Sequence, residues 1–267
     1  MDENNRPMLA TNWTSAAGAV EGILAYLGTP LPRHAVMGLT GHAWHLCLGT
    51  RGGVVALPSG PSDLDWEAAV RRYRNTGHSW RRIGGVCPAG EDGTTFKEAA
   101  IAEATALLDA GVPLGGWDFH LHEFGIVWGY DSDRQGFMVD DVLSEEVGPI
   151  ALWRDWPTRA TGQIELFYPV EPVEVDAIES VGESLAFALQ CFAGADGPDD
   201  GQPRGTAALD AWAEAFDGET EVDRAGNAYT LTVLQAARVD GAAYLADLAE
   251  ALPPLAGALR PAVQALN

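Results

Sequence analysis

The spacing of apolar residues near the start of the chain predicts an amphipathic helix. Four of them follow the pattern i, i+3, i+4 and i+7 that places side chains on one helical face: Val20, Ile23, Leu24 and Leu27. Thr14 or Ser15 is a natural N-cap for this helix, and Gly28 with Pro30 ends it. Further along, Phe96–Asp109 has the same helical periodicity.

Beyond residue 111 the pattern changes to short apolar runs separated by turn residues, which is typical of strands. We predict four strands in this part of the chain: Leu114–Phe119, Glu123–Tyr130, Phe137–Val142 and Ile164–Tyr168. The polar run 131–136 predicts a hairpin turn between the second and third of them. Residues 36–57 are interrupted by glycines and predict strands or irregular structure, and 64–73 predicts a short helix.

The last hundred residues are rich in Ala and Leu, and their periodicity is helical throughout. We predict helices in four segments: Ile178–Phe192, Ala207–Phe216, Ala225–Leu252 and Leu255–Leu266. A hinge containing Pro169 and Pro172 precedes them. The sequence therefore predicts an α+β domain over 1–172 and a smaller helical domain over 173–267.

The charge of the chain restricts its partners. The net charge of −22 excludes nucleic acid and anionic membranes, since both require a basic surface. Such a charge favours a cationic ligand, for example an amine, although salt-adapted and high-GC proteomes have the same composition. No apolar run approaches the ~20 residues needed to cross a bilayer, and Met1–Arg6 does not resemble a leader. We therefore expect a soluble, cytoplasmic protein.

Candidate chemistry is concentrated in the predicted hairpin. His122 precedes an apolar strand, and Asp141 lies on the strand that returns beside it. A carboxylate beside an imidazole fixes the ring tautomer and leaves the second nitrogen free as a base. Such a base needs a nucleophile, and Ser15 at the start of the first predicted helix is placed to supply one.

These residues and their order resemble the papain-like bacteriocin-processing peptidases and the N-terminal domain of butirosin biosynthesis protein H. Ala25–Gly28 closes the helix as in that family, Gly129–Asp131 ends the His strand, and Val139–Val142 stands at the acid motif. The glycine-rich segment Met37–Trp44 is also similar. The resemblance covers roughly residues 12–170 and implies a papain-like fold and acyl chemistry: hydrolysis of an amide or thioester, or acyl transfer, with no cofactor.

The family nucleophile is Cys, and this chain has Ser15 in its place. A serine hydroxyl is far less acidic than a thiol, so it attacks only if His122 removes its proton in the same step. Two hypotheses follow. Either Ser15, His122 and Asp141 perform acyl chemistry, or the domain is inactive and binds a small molecule or peptide. The resemblance suggests Asn12 as the donor to an oxyanion.

Other assignments of the polar residues remain open. Ser15 can simply cap its helix, and His120 with His122 on one strand face is an alternative metal site, although the spacing matches no ligand signature. His42, Trp44 and His120 are candidates for lining a substrate pocket. The three cysteines have no CxxC spacing, which favours free thiols and no metal site; Cys47 is a less favoured nucleophile.

Overall fold

The computed structural model describes residues 5–51, 54–55, 64–157, 162–197, 201–217 and 221–266. The chain forms two compact units. Unit 1 comprises Met1–Leu31 and Gly77–Val173, and unit 2 comprises Pro32–Thr76 and Glu174–Asn267. The third change of unit, after Val173, falls near residue 172, where the sequence predicts a domain boundary. Residues 32–76 differ from the prediction, since they cluster with the C-terminal helices and not with the first domain.

The described residues contain nine α-helices and eight strands, numbered here in chain order. The helices are α1 Ser15–Tyr26, α2 Arg33–Thr40, α3 Trp66–Arg72, α4 Glu91–Asp109, α5 Ser144–Val147, α6 Ala177–Ala193, α7 Thr206–Asp217, α8 Arg224–Ala251 and α9 Ala256–Leu266. The strands are β1 Thr50–Arg51, β2 Val54–Val55, β3 His78–Val86, β4 Leu114–Trp117, β5 Phe124–Asp131, β6 Gly136–Asp140, β7 Ile150–Leu152 and β8 Gln163–Pro172. The α+β class predicted from the sequence is confirmed.

Unit 1 is built on a six-stranded antiparallel sheet with the strand order β3-β8-β4-β5-β6-β7. Successive residues of β5 point to opposite faces of this sheet. Val127 belongs to the core cluster that includes Ala100 and Ala104 of α4. Ile126 faces the other way, and its Cδ1 lies beside Gly22 of α1. Helices α1 and α4 therefore cover opposite faces of the sheet.

The apolar stripe predicted for α1 explains its position. Val20, Ile23 and Leu24 are completely buried, as expected for a helix whose apolar face lies on a sheet. The helix begins at Ser15, with Thr14 as the N-cap residue; within the described part of the chain the Thr14 side chain makes no capping hydrogen bond. Ser15 is thus the first helical residue and does not cap the helix.

Unit 2 is mainly helical. Its short helix α2 packs against α6 and α8. The close approach depends on Gly38: an added Cβ would lie 2.4 Å from the Tyr244 ring of α8. On the other neighbour, Ser184 Oγ of α6 donates a 2.7 Å hydrogen bond to the Gly38 carbonyl. These contacts explain why residues 32–76 belong to this unit. Strands β1 and β2 pair with each other antiparallel.

None of the helices in the described ranges has the length and apolar character required to cross a membrane.

Candidate functional site

The start of α1 is hydrogen-bonded to the two residues where β5 begins. Ser15 Oγ donates a 2.5 Å hydrogen bond to Oε2 of Glu123 and accepts a 3.0 Å bond from the backbone N–H of Phe124. The Ser15 residue is only 6% exposed. The group that the structure places at the Ser15 hydroxyl is therefore a carboxylate, whereas the sequence predicted the imidazole of His122.

His122 lies in the loop between β4 and β5 and has a different acidic partner. Its Nδ1 donates a 2.6 Å hydrogen bond to Oδ1 of Asp118, whose side chain is fully buried. The ring stacks on Trp117, with centroids 6.5 Å apart and planes 20° apart. Because Nδ1 is engaged, Nε2 is the nitrogen available to act as a base. The His122 side chain is 51% exposed, so a ligand can reach it.

The backbone of Asp118 is strained. Its φ of +69° lies in the left-handed region, which a residue with a Cβ seldom adopts. Its amide N–H donates to the carbonyl of Glu123, closing the loop that carries His122. Backbone strain of this kind is often found at binding and catalytic sites, where the surrounding structure enforces it.

The predicted pairing of Asp141 with His122 is wrong. Asp141 lies just after the end of β6, and its Oδ2 is 2.9 Å from Nδ1 of His120. Its Oδ1 accepts hydrogen bonds from the Leu143 N–H at 3.0 Å and the Ser144 hydroxyl at 2.8 Å. The prediction extended β5 back to residue 123 and placed His122 beside it; in the structure β5 begins at Phe124, and His122 belongs to the loop.

His120 also gives no support to a metal site shared with His122. Its Nδ1 is bonded to Asp141, and its Nε2 lies 3.2 Å from the carbonyl oxygen of Ile150. Both partners are hydrogen-bond acceptors, so each ring nitrogen faces a protein oxygen, and a ring with one N–H donates to only one of them at a time. The His120 side chain is 14% exposed, which leaves little of it for a substrate.

Asn12 shapes the turn that leads into α1. Its Oδ1 accepts a 2.9 Å hydrogen bond from the Thr14 N–H. Its Nδ2 is buried and has no hydrogen-bond partner among the described residues. Asn12 therefore carries a buried amide donor three residues before Ser15, which is compatible with the oxyanion role that the resemblance implies.

His42 and Trp44 belong to unit 2, and each is only 1% exposed. His42 Nε2 lies 2.8 Å from the hydroxyl of Tyr73. Burial, with smaller contributions from the charges of Arg72 and His45, lowers the pKa of His42 to about 3, so the ring is neutral at physiological pH. Both side chains are core residues of their unit and do not line an accessible pocket.

Cys47 is completely buried, and its Sγ donates to Oε1 of Gln202 at 3.7 Å. A nucleophile has to be reached by its substrate, so the structure does not support the alternative in which Cys47 attacks.

Two residues of the site were missed by sequence reasoning. Asp118 carried one weak signal, its i, i+4 spacing from His122 in a polar loop. Glu123 follows His122 directly, and successive residues point in different directions, so only one of the two can face Ser15. The structure selects Glu123.

A scan against protein-family models gave no match to this chain, and a search of curated proteins found no significant relative.

Proposed function

We propose that unit 1 is a papain-like domain that binds an amine-bearing small molecule or peptide and does not carry out acyl transfer. The observation that carries this proposal is the hydrogen bond from Ser15 to Glu123. It places a carboxylate where acyl chemistry requires a base for the nucleophile.

The hydrogen bonds of Ser15 argue against nucleophilic attack by its hydroxyl. A carboxylate is a weaker base than an imidazole, and a serine hydroxyl is a much weaker acid than a thiol, so Glu123 cannot generate useful alkoxide character. The N–H of Phe124 also occupies one lone pair of the hydroxyl oxygen. Both bonds hold α1 against β5, which is a structural role.

The same geometry supports an amine as ligand. Glu123 is partly exposed, and a carboxylate in a partly dry position binds an ammonium group more strongly than one in water. Trp13, two residues before Ser15 in the chain, is 53% exposed and offers an indole face for cation–π contact. The net charge of −22 further raises the local concentration of cations.

Calorimetry with a simple probe tests this proposal. Cadaverine should bind the protein, and N,N′-diacetylcadaverine, which has the same chain without the charges, should not. Glu123→Gln should weaken cadaverine binding about tenfold or more, the loss expected for one charge-assisted hydrogen bond. Glu145→Gln, an equal change of charge on the exposed helix α5, should leave it unchanged. Absence of binding, or equal binding to both variants, would overturn the proposal.

A second candidate function is the acyl chemistry that the family resemblance implies, and the His122–Asp118 pair favours it. An imidazole that is half exposed and oriented by a buried carboxylate has the arrangement of a general base. In this alternative Asp118 replaces Asp141 as the orienting acid, and Ser15 leaves Glu123 to attack the acyl carbonyl.

Covalent labelling separates the two functions. If acyl chemistry occurs, a fluorophosphonate labels the wild-type protein, and both Ser15→Ala and His122→Asn abolish the labelling. If the domain only binds, the wild-type protein remains unlabelled while cadaverine still binds. Ser15→Cys should then acquire reactivity towards activated thioesters only if His122 can reach the new thiol.

A further inference from the structure

Unit 2 contains a group of three side chains that the proposed function does not use. His45 lies in the irregular segment after α2, Cys191 lies in the last turn of α6, and Asp196 follows that helix. The turn depends on Gly194, which ends α6 with a φ of +73° and reverses the chain direction so that Asp196 returns towards Cys191.

The three side chains converge. One potential ligand atom from each lies within 4.8 Å of the other two, and in the described part of the chain no other such group of His, Cys, Asp or Glu residues occurs. The Nδ1 of His45 is hydrogen-bonded to Oδ2 of Asp196. The side chains of His45 and Asp196 have no exposed surface, and Cys191 is completely buried.

The cluster also has unused coordination capacity. Oδ1 of Asp196 and Nε2 of His45 are buried without a hydrogen-bond partner among the described residues. Buried polar atoms are rarely left in this state, because each unmade hydrogen bond costs free energy. The unpartnered Oδ1 is a ready ligand atom. Nδ1 of His45 carries the ring hydrogen while it donates to Asp196; if an ion replaces that bond, the hydrogen can move to Nε2, which has no other partner among the described residues.

We propose that His45, Cys191 and Asp196 bind one divalent cation of borderline softness, for which Zn²⁺ is the best match. A neutral imidazole, a thiolate and a carboxylate are ordinary protein ligands of Zn²⁺, at distances of about 2.0–2.3 Å. Around a tetrahedral ion such distances place ligand atoms roughly 3.3–3.8 Å apart. A cluster already within 4.8 Å therefore needs only small shifts, which include a separation of His45 Nδ1 from Asp196 Oδ2. A water molecule completes the coordination.

Charge balance supports this assignment. A thiolate and a carboxylate together carry two negative charges, which a divalent cation neutralises in a place where net charge is costly. Burial, reinforced by the Asp196 carboxylate, raises the pKa of the Cys191 thiol well above its usual range, against the smaller opposing effect of the Arg72 and Arg238 charges, so without an ion the thiol keeps its proton. On binding, that proton leaves to solvent, the Sγ lone pair forms the bond to the ion, and no group is oxidised or reduced.

Cobalt(II) is a suitable probe because its bond to a thiolate gives a charge-transfer absorption in the near ultraviolet. Protein freed of metal by a chelator should bind one Co²⁺ per chain with this absorption, and Zn²⁺ should displace it. Cys191→Ser should abolish the band. A mutation outside the ligand shell typically weakens metal binding about tenfold to hundredfold. His45→Gln removes a ligand and should weaken Co²⁺ binding by more than this. The apparent affinity should rise with pH, because the thiol proton is released.

The other buried thiol of the same unit provides a matched control. Cys47→Ser should bind Co²⁺ as the wild-type protein does, since Cys47 is bonded to Gln202 and lies outside the cluster. Failure of the wild-type protein to bind one equivalent, or unchanged binding in both Cys191→Ser and His45→Gln, would show that the cluster is only an ion pair beside a thiol. These measurements do not depend on cadaverine binding by unit 1.

Discussion

Oγ of Ser15 lies 2.5 Å from Oε2 of Glu123, and the same oxygen receives the N–H of Phe124. The first residue of α1 is thereby fastened to the start of β5, and one hydroxyl satisfies two polar groups. In an acyl-transfer enzyme an imidazole would instead accept the hydrogen bond from this hydroxyl, so that the hydroxyl oxygen can attack the substrate. We therefore expect that removing the Ser15 hydroxyl lowers the free energy of unfolding of unit 1.

Ser15→Ala should destabilise unit 1 by about 1–3 kcal/mol, because it removes one hydrogen bond from the Phe124 N–H and one from the partly buried Glu123 carboxylate. Denaturation in urea measures this change. Ser79→Ala is the control, since that hydroxyl makes one exposed 3.4 Å bond to the Glu171 carbonyl and should matter little. Equal stability of the two variants would show that the Ser15 bonds contribute nothing.

The strained backbone of Asp118 can be tested with two variants that both remove the carboxylate. Asp118→Gly and Asp118→Ala lose the bond to His122 equally, but only alanine must hold its Cβ at a φ of +69°. Asp118→Ala should therefore be less stable than Asp118→Gly by about 1–2 kcal/mol, as measured from the midpoints of urea unfolding. If the two are equally stable, the backbone conformation at Asp118 is not enforced.

Elements with a strong periodicity could be predicted from the sequence, and elements stabilised by distant partners could not. The C-terminal helices and α1 were predicted to within one or two residues because their apolar faces are regular. The strand β3 was missed because its partner β8 is distant in the chain; a bidentate bond between Arg82 and the buried Glu165, at 2.7 and 2.6 Å, adds to the pairing of the two strands. Helix α2 was missed because so short a helix depends on packing against its neighbours.

The sequence predicted the region of the candidate site correctly but paired its side chains incorrectly. Sequence reasoning brought Ser15 and the loop around His122 into one unit, and the structure agrees. It paired His122 with Asp141 through an assumed strand register. The actual partners, Asp118 and Glu123, follow from a left-handed residue and from the point where β5 begins. Neither is visible in a hydrophobic pattern, since each depends on one local backbone conformation.

Close packing of α2 on α8 predicts a sharp difference between two glycine substitutions in unit 2. Gly38→Ala would bring a methyl group 2.4 Å from the Tyr244 ring, so the helices must separate, at a cost of about 1–3 kcal/mol. Gly182→Ala, in the middle of α6, meets no atom within 4 Å and should stabilise the protein by up to about 1 kcal/mol. Thermal unfolding of both variants gives the comparison, and a neutral Gly38→Ala would contradict the packing described.

The buried imidazole of His42 predicts a loss of stability in acid. Its pKa falls from 6.5 to about 3 on folding, so below pH 6.5 the unfolded chain takes up a proton that the folded chain refuses. The contribution of the neutral His42 ring to the free energy of unfolding is complete above pH 6.5. It is lost as the pH falls from 6.5 towards 3, at about 1.4 kcal/mol per pH unit.

His42→Gln cannot titrate, and glutamine can still bond to the Tyr73 hydroxyl. Between pH 7 and pH 5 the wild-type protein should therefore lose about 2 kcal/mol more unfolding free energy than this variant. Urea denaturation at the two pH values measures both. Since every other titrating group, including His78 with its lowered pKa, is present in both proteins, their common loss cancels in the difference. Parallel losses in the two proteins would mean that His42 is protonated in the folded state or is reached by water.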